Sequence, residues 1–444
     1  MNNTPPFCSI VILNYLGEKV IAKTVNAVLH LDYPKDKYEI IIVDNGSRDG
    51  SRKILKKIQE KYTNVQLINL TKNYGFAAGN NYGIRKAQGK YIALLNNDCF
   101  VDRNWLKELV KVAEKKNNLF AISSRILLYP NFFYVNFKNS IKFQENSFYL
   151  VKSNLLRFSS KIKLAEKKNK TYYEVEIPYD LNDFAVEISF QLQEIKPGVG
   201  LKILKLRKND YILSSNNNLT KIKLNVKSQN IIKNSFDKIQ NAGTIVFQDG
   251  TGRDIGAIVR NQSIDYEKDY GQYNLLKENY AACGAAVLIN RKILEEVGYL
   301  DESFFMYYED VEISERARFM GYKIFYCPRA VVRHLHAFSS KEGSKFFQYH
   351  ANLGRLLHLF FHYPKRVFVR EYIKYSIWSS RRLIKNFFDR ESLKINTLLF
   401  NVTIYFLKNL PFLFIKRALK LKKYKKDAVS LNFKEIIGGN WYFK

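Results

Sequence analysis

The sequence contains few cysteines, only Cys8, Cys99, Cys283 and Cys327 in 444 residues. No CxxC pair and no cysteine-dense stretch occurs, so neither a thiolate metal cage nor a disulfide scaffold is indicated. The first residues, Met1 to Phe7, have no basic segment followed by an apolar run, and so they carry no recognisable secretion signal. We therefore expect a protein of a reducing, cytoplasmic compartment.

Acidic residues are also scarce, because 41 Asp and Glu stand against 72 Lys and Arg and give a formal net charge of +31. Residues 361–444 contain 19 basic and 5 acidic residues, and residues 131–235 contain 18 and 9. The excess therefore lies mostly outside the segments that carry candidate chemistry. This distribution favours an anionic membrane surface as a partner, and not nucleic acid.

The arrangement of apolar, polar and charged residues along the chain predicts four segments: 1–130, 131–235, 236–360 and 361–444. In the first, apolar strands alternate with helices, which predicts an α/β fold with a mainly parallel sheet covered by helices on both faces. In the second, apolar and polar residues alternate with period two, which predicts an inserted antiparallel β-sandwich. In the third segment the alternation of predicted strands and helices resumes. The last segment is predicted to be helical and is basic.

Polar residues follow the first two predicted strands. Asn14 ends the first strand, and Asp44 and Asn45 end the second. Ligands of parallel sheets bind outside the carboxyl ends of the strands, so these side chains are candidates for binding a nucleoside base or ribose. Alternatively, the segment from Asn45 to Ser51 only builds a turn and a helix N-cap.

A small-residue loop and an amide-rich turn follow the third and fourth strands. The segment with Asn73, Gly75 and Asn80 could present backbone N–H groups to a phosphate at a helix start. The turn Asn96-Asn97-Asp98 places a carboxylate and amide oxygens at a strand end, which suits a divalent cation, Mg²⁺ or Mn²⁺. The alternative for this turn is a structural Asn-rich loop.

Two further segments lie near the end of the predicted core. Glu309 and Asp310 are adjacent carboxylates after a run of aromatic residues, where burial and like charge would raise a pKa toward that of a general base. They could also open a helix and favour its dipole. His334 and His336 would lie on one face of an extended segment and are candidate metal ligands.

Taken in order, these segments resemble the family 2 glycosyltransferases with the GT-A fold, in particular the rhamnosyltransferase-like branch. The motifs are SIVILNY, IIVDNGSRDGS, NYGFAAGNN, ALLNNDCF, AACGAAVLIN and the stretch from VGYLDESFFMYYEDVEIS to VVRHLH. They cover residues 7–128 and about 238–355. An amide, Asn96, stands where the family's DxD motif begins, and the β-rich stretch lies outside the family pattern.

The resemblance implies a role for four residues. Asp44 would bind the nucleoside base, Asp98 would be the last member of the metal-binding DxD, Asp310 would be the general base, and His334 would be a metal ligand. The implied reaction is inverting transfer of a sugar from a nucleotide-diphosphate donor (dTDP-, UDP- or GDP-linked) to a glycan or lipid-linked acceptor in cell-surface polysaccharide synthesis.

Two other functions fit parts of the sequence. A sugar-nucleotide nucleotidyltransferase could use a related sheet, but it would be expected to have a basic Gly-rich loop where this chain has Asn14 to Glu18. A non-catalytic carbohydrate or nucleic-acid binding protein would account for the β-rich insert and the basic tail.

The C-terminal region, about 364–430, is predicted to lie on the inner face of the cell membrane. Its apolar run, Ile395 to Leu407, is shorter than a spanning helix and is followed by Lys408, Asn409 and Pro411. A basic cluster follows, and an apolar stretch beside basic residues is typical of interfacial anchors. The cluster consists of Lys416, Arg417, Lys420, Lys422, Lys423, Lys425 and Lys426. The alternative is a helical face that packs on the core.

Overall fold

A computed structural model describes residues 4–129, 235–260, 263–335, 344–385 and 389–424, and nine strands between residues 131 and 224. By its contacts the chain divides into two compact units. The first comprises Met1–Ile126, Gln240–Asp265 and Tyr273–Lys444, and the second comprises Leu127–Ile239 and Tyr266–Gln272.

The first unit is built around a mixed, mostly parallel sheet. Its strands are β1 (Cys8–Asn14), β2 (Tyr38–Asp44), β3 (Val65–Asn69), β4 (Tyr91–Asn96), β5 (Cys99–Val101), β6 (Leu119–Leu128) and, later in the chain, β22 (Ala286–Asn290). The order across the sheet is β6-β22-β4-β1-β2-β3, with β4, β1, β2 and β3 parallel and β22 antiparallel to both neighbours. The predicted α/β class with a GT-A sheet is confirmed.

Helices cover both faces of this sheet. They are α1 (Ile21–Leu29), α2 (Ser51–Lys61), α3 (Phe76–Ile84), α4 (Trp105–Ala113), α5 (Arg291–Val297) and α6 (Glu309–Phe319). Alternate residues of β1 point to opposite faces, so Ile10 packs in a core with α1 and α4, while Val11 packs in a second core with α3 and α5. The continuous apolar runs of the strands are explained by burial on both faces.

Short strands complete the first unit beside one long strand. They are β17 (Thr244–Val246), β18 (Gly252–Asp254), β19 (Ala257–Arg260), β21 (Lys277–Glu278) and β23 (Lys323–His334). β17 and β18 form an antiparallel hairpin, and the end of β23 pairs antiparallel with β5. This last pairing sets His334 opposite Cys99.

The second unit consists of antiparallel sheets in the described residues. One has the order β10-β11-β7-β13 and another β14-β15-β12-β8-β9. Their bounds are β7 Asn131–Phe137, β8 Tyr149–Lys152, β9 Arg157–Ser160, β10 Lys163–Lys167, β11 Lys170–Ile177, β12 Val186–Gln191, β13 Ile203–Leu204, β14 Tyr211–Asn216 and β15 Leu219–Leu224. In addition, β16 (Lys238–Asn241) pairs with β20 (Ser263–Lys268). The packing of these sheets as a sandwich stays a prediction.

The C-terminal region forms three helices, α7 (Lys345–His362), α8 (Lys365–Lys385) and α9 (Arg390–Leu421). They build a third hydrophobic core, in which Leu357, Phe361 and Phe406 are almost fully buried together with Phe304 and Val311. Helix α9 continues through Pro411. The region therefore supplies core to the first unit.

The predicted basic cluster does not form one exposed surface. Lys420 binds Asp301 (Nζ to Oδ2, 2.8 Å) and Glu312, and Lys416 also binds Asp301. Arg417 is buried and donates to the carbonyl of Tyr363 at 2.8 Å. Lys422 and Lys423 are exposed, whereas Lys425 and Lys426 lie outside the described residues. The inward lysines are explained by the buried carboxylates they neutralise.

Replacing Lys420 by methionine should lower the free energy of unfolding by about 3–5 kcal/mol, because it leaves Asp301 and Glu312 as buried carboxylates without this cation. Lys423→Met, exposed and two residues beyond the end of the same helix, is the matched control and should change stability by less than about 0.5 kcal/mol. Urea denaturation followed by tryptophan fluorescence gives both values. Equal stability of the two variants would contradict a buried role for Lys420.

Candidate functional site

The predicted polar residues at the strand ends form one buried chain of hydrogen bonds. In the register of the sheet, Asn14 lies beside Asp44. Asn97 donates from Nδ2 to Oδ1 of Asn14 (3.1 Å), and Asn14 donates from Nδ2 to Oδ1 of Asp44 (2.9 Å). Gly17 is required here, since a Cβ at this residue would lie 2.1 Å from Oδ1 of Asn14.

Asp44 is fully buried and is held by a residue that the sequence analysis missed. Arg52 of α2 donates from Nε to Oδ2 of Asp44 at 2.7 Å, and the same oxygen accepts the backbone N–H of Ser47. The side chain of Arg52 is 44% exposed while that of Asp44 is not exposed at all. Arg52 is therefore the accessible charged group of this pair. Its signal in the sequence was the RDGSR stretch after the second strand.

The loop after β3 uses its backbone N–H groups internally, contrary to the reasoning from the sequence. The N–H of Tyr74 binds Oδ1 of Asn45 (3.0 Å), and the N–H of Gly75 binds Oδ1 of Asn73 (2.8 Å). The N–H of Phe76 binds the carbonyl of Phe305 at 2.6 Å. These three N–H groups are thus already occupied, and phosphate binding by the rest of the segment stays a prediction.

Gly75 and Asn80 serve this bracing. Gly75 has φ +88°, and a Cβ there would lie 2.4 Å from the carbonyl oxygen of Phe305, so only glycine fits. Asn80 is 1% exposed and donates from Nδ2 to the carbonyl of Phe76 within α3. Both residues thus stabilise the loop beside the candidate site. A direct contact of either residue with a ligand stays a prediction.

Asp98 and His334 meet at the end of β4. Oδ1 of Asp98 lies 3.0 Å from Nε2 of His334, and both side chains are less than 10% exposed. Nδ1 of His334 lies 2.9 Å from Oε1 of Gln240, a residue that the sequence analysis missed. An Nδ1–H group that donates to Gln240 leaves the lone pair of Nε2 facing the carboxylate. His336 lies outside the described residues.

This pair fits a divalent cation. Adjacent ligands of an octahedral ion with bonds of about 2.0–2.1 Å lie about 3 Å apart, which is the separation of the two ligand atoms here. The thiol of Cys99 is near enough to count as a third ligand, but sulfur ligands suit softer ions than Mg²⁺ or Mn²⁺. Asp98 and His334 are therefore the candidate ligands.

Glu309 and Asp310 begin α6; Glu309 is buried, Asp310 is half-buried, and both have raised pKa values. Burial, and then the charge of Asp310, raise the pKa of Glu309 well above its usual value, and burial raises that of Asp310. Oδ2 of Asp310 accepts the N–H of Gly284 at 2.9 Å. The helix-opening role weighed from the sequence is therefore real, and it coexists with the properties of a base.

The backbone before these acids is strained. Tyr307 and Tyr308 have φ of +69° and +70°, a conformation unfavourable for residues with a Cβ. The hydroxyl of Tyr308 accepts the N–H of Gly252 at 3.0 Å, which helps to hold this turn. Strain of this kind persists where the surroundings fix it, commonly at functional sites.

Asp254 is a further carboxylate near the site that the sequence analysis missed. Burial and then the charge of Asp310 raise the pKa of Asp254 to about 6. It lies on β18, opposite Thr244, whose hydroxyl donates to Oδ1 of Asp254 at 3.1 Å. Asp254 is therefore close enough to the candidate base Asp310 to interact with it electrostatically. The only sequence signal was the turn-rich stretch around Asp249–Gly252.

Residues 9–172 match the family model described as Glycosyl transferase family 2. The chain contains a family 2 glycosyltransferase domain. The matched segment includes Asn14, Asp44 and Asp98 and ends before Asp310 and His334.

Curated relatives agree with this match. The chain is 37% identical over 107 residues to "Glycosyltransferase AglE" of Haloferax volcanii, covering 24% of this chain and 35% of the relative. It is 29% identical over 128 residues to "Putative teichuronic acid biosynthesis glycosyltransferase TuaG" of Bacillus subtilis, covering 29% and 50%. The chain thus matches a third to a half of the length of these relatives.

Solved structures with some likeness include GalNAc-T7 with UDP, GalNAc and Mn²⁺ (TM-score 0.49, 15% identity, covering 92% of this chain and 58% of that one). Another is the mannosyltransferase PcManGT from Pyrobaculum calidifontis with GDP-Man and Mn²⁺ (TM-score 0.39, 13% identity, covering 99% and 81%). Both scores lie below 0.5, so the fold assignment depends on the strand order and the family match.

Gln240→Leu should weaken the affinity for Mn²⁺ about 10- to 100-fold, because the hydrogen bond that orients His334 is lost. His334→Gln should weaken it further by removing a ligand. Electron paramagnetic resonance of free Mn²⁺ during a titration measures both affinities. Gln272→Leu is the control, since Gln272 is exposed and its side chain bonds Glu267 and Lys268. Unchanged Mn²⁺ affinity in Gln240→Leu would argue against this orienting role.

Proposed function

We propose that the protein is an inverting glycosyltransferase that moves a sugar from a nucleotide-diphosphate donor to a glycan or lipid-linked acceptor. The observation that carries the proposal is the meeting of Asp98 and His334 at 3.0 Å. The acidic pair at the start of α6 supplies a candidate base with a raised pKa. A pair of metal ligands and a base are suited to a single displacement at an anomeric carbon.

Asp310 is proposed as the base. Its raised pKa makes it a stronger proton acceptor than an exposed carboxylate, and the N–H of Gly284 keeps one of its oxygens in place. The acceptor hydroxyl gives its proton to Asp310 while its oxygen attacks the anomeric carbon from the face opposite the diphosphate. The bond from that carbon to the diphosphate breaks in the same step, which inverts the configuration.

Asp98 and His334 would hold Mg²⁺ or Mn²⁺ at the donor diphosphate. Such an ion neutralises the negative charge that develops on the leaving nucleoside diphosphate. The chain's own contribution is to set the two ligands 3.0 Å apart and to fix the imidazole through Gln240.

The nucleoside is proposed to lie against the strand ends. Asp44 would serve the base together with Arg52, and Asn14, Asn45, Asn73, Gly75, Asn80, Asn96 and Asn97 would shape the pocket. Because Asp44 is buried, we expect Arg52 to make the more exposed contact. The donor is proposed to be dTDP-, UDP- or GDP-linked, and the sequence motifs at the strand ends support membership of the rhamnosyltransferase-like branch.

The domain organisation is proposed to follow the four segments predicted from the sequence. Residues 1–130 would bind the donor, 236–360 would carry the base and the acceptor site, and 131–235 would be an added β-rich domain. Residues 361–444 would bring the protein to the membrane.

Asp310→Asn should lower turnover by about 10²- to 10⁴-fold, which corresponds to about 3–5 kcal/mol of barrier. A panel of UDP-, dTDP- and GDP-sugars with Mn²⁺, and a lipid extract of the producing cells as acceptor, identifies the donor by release of nucleoside diphosphate. Binding of the same nucleoside diphosphate to the variant should be unchanged, since Asp310 acts on the acceptor.

Glu309→Gln is the matched comparison for this experiment. Glutamine has the same shape as glutamate, and Asp310, not Glu309, is proposed to take the proton, so this substitution should reduce turnover much less. If Asp310→Asn kept near-parental turnover with the donor so identified, the assignment of the base would be wrong.

We propose that the exposed side chains of α8 contact an anionic membrane surface. Every side chain exposed on this helix is either basic or apolar. The basic ones are Lys365, Arg366, Arg370, Lys374, Arg381, Arg382 and Lys385, and the apolar ones are Val369, Ile373, Ile377, Trp378 and Ile384. Apolar side chains that enter the head-group region beside cations that meet anionic lipid are typical of interfacial helices.

Helix α9 adds apolar surface. Leu407, Phe412, Ile415 and Leu419 are each about 60% exposed. The segment Ser392–Leu421 is long and apolar enough to cross a membrane, and 28% of its most apolar window is buried within the protein. We propose that it contributes to a membrane-surface contact at the cytoplasmic face rather than spanning the bilayer, because its other side packs on the core with Leu399, Val402 and Phe406.

Charge reversal at Arg381 and Lys385 should reduce binding to vesicles of phosphatidylglycerol and phosphatidylcholine at least tenfold, since each cation near an anionic leaflet contributes about 1 kcal/mol. Vesicle flotation measures the bound fraction, and added salt should lower it. Lys56→Glu with Lys57→Glu makes the same change in net charge on exposed residues of α2 and should leave binding near parental. Equal loss in both double variants would contradict a specific role for α8.

A further inference from the structure

A second group of buried titratable side chains lies between α6 and α7, apart from the proposed base and the proposed ligands of the donor metal. Glu312 and Glu315 come from α6, and His358 and His362 come from α7. All four are at most 1% exposed. The two histidines are four residues apart and so lie on one face of their helix, toward the two glutamates.

His358 poses a problem that protein groups alone do not solve. Neither of its ring nitrogens makes a hydrogen bond with any residue that the structure describes. Its Nε2 is nevertheless 3.1 Å from Oε2 of Glu315, a contact without hydrogen-bond direction. A buried polar atom without a partner costs about 1–3 kcal/mol, and a bound ion would remove this cost.

Two tyrosines bind one polar atom each of Glu315 and His362, the two side chains next to His358. The hydroxyl of Tyr280 donates to Oε1 of Glu315, and the hydroxyl of Tyr424 lies 3.1 Å from Nδ1 of His362. Outer hydrogen bonds of this kind orient ligands in metal sites. Oε2 of Glu315 lies 3.1 Å from Nε2 of His358. Nε2 of His362 lies 3.2 Å from Oε1 of Glu312, a hydrogen bond that a bound ion would replace.

Both imidazoles are neutral and can offer lone pairs. Burial holds the pKa of His358 well below its usual range and lowers that of His362 to about 4. Glu312 is less suited to act as a ligand, because Arg316 and Lys420 already bind its two oxygens. Its charge is therefore compensated within the protein.

We propose that Glu315, His358 and His362 bind a zinc ion that joins α6 to α7. One candidate ligand atom from each lies within 4.8 Å of the others. In a tetrahedral site with bonds of about 2.0–2.2 Å, neighbouring ligand atoms lie about 3.3–3.6 Å apart. Small movements of the three side chains would therefore bring their ligand atoms to bonding distance from one ion. Two imidazoles and one carboxylate form a known zinc ligand set, with water in the fourth position.

The zinc ion would support the catalytic helix without touching the substrates. It would fix α6 one and a half turns beyond Asp310, and this consequence alone rests on the proposed function. The ligand set differs from Asp98 and His334, so the two metal sites can be separated by mutation.

The purified full-length chain, dialysed against EDTA and then freed of it, should retain about one zinc per chain by inductively coupled plasma mass spectrometry. His358→Leu should lose this zinc, while His334→Gln should keep it although its Mn²⁺ affinity falls. Replacing zinc by Co²⁺ should give visible absorption bands in the parent and not in His358→Leu. Parent protein without stoichiometric zinc before dialysis would overturn the proposal, whatever its turnover.

The sign of the stability change gives a second readout. In a metal-free cluster, leucine at position 358 would remove two unpartnered nitrogens and should raise the melting temperature or leave it unchanged. In a zinc site the same substitution should lower it by several degrees. His350→Leu, on the same helix and only half-buried, is the control and should keep its zinc. A His358→Leu variant that melts no lower than the parent would also overturn the proposal.

Discussion

The pairing of β23 with β5 is the constraint on which the candidate site depends. It sets His334 opposite Cys99, and so brings an imidazole from late in the chain to the carboxylate of Asp98 at the end of β4. The antiparallel strand β22 fills the sheet between β4 and β6. Gln240 of β16 contacts the imidazole of His334, and Asp254 of β18 interacts electrostatically with Asp310. A sheet of parallel strands alone would bring together Asn14 and Asp44 but would not supply His334 or Asp254.

Helix α6 links the site to the rest of the first unit. Its first turn carries Glu309 and Asp310, and its later turns bury Glu312, Glu315 and Arg316. A helix so polar and so buried is stable only if its charges are paired. Arg316 and Lys420 neutralise Glu312, and α7 supplies two histidines against the same face. The position of Asp310 is therefore determined by contacts on the opposite side of its helix as much as by the site itself.

The sequence predicted the sheet well because burial on both faces leaves a simple signal, continuous apolar runs that end in Asn14, Asp44 and Asn96. It also brought Asp98 together with His334, but through the family resemblance, since no local pattern links residues so far apart. What it could not predict were the partners of each polar group. The loop at Asn73 to Phe76 reads as a phosphate cradle until Asn45 and Phe305 are seen to accept its N–H groups. Arg52, Gln240 and Asp254 were missed because their importance comes from neighbours that only the fold supplies.

The basic side chains of the C-terminal region show that the partners of charged groups are also not predictable from the sequence. A run of lysines in a sequence predicts an exposed basic surface, and this holds only when nothing buried requires compensation. Asp301 and Glu312 are buried carboxylates, so Lys416 and Lys420 of α9 point inward to neutralise them. Most exposed cations of the described part of this region belong to α8, a helix whose own acid, Glu371, is buried. The positive charge of the region thus divides into a structural part that neutralises the buried acids Asp301 and Glu312 and an exposed part on the surface.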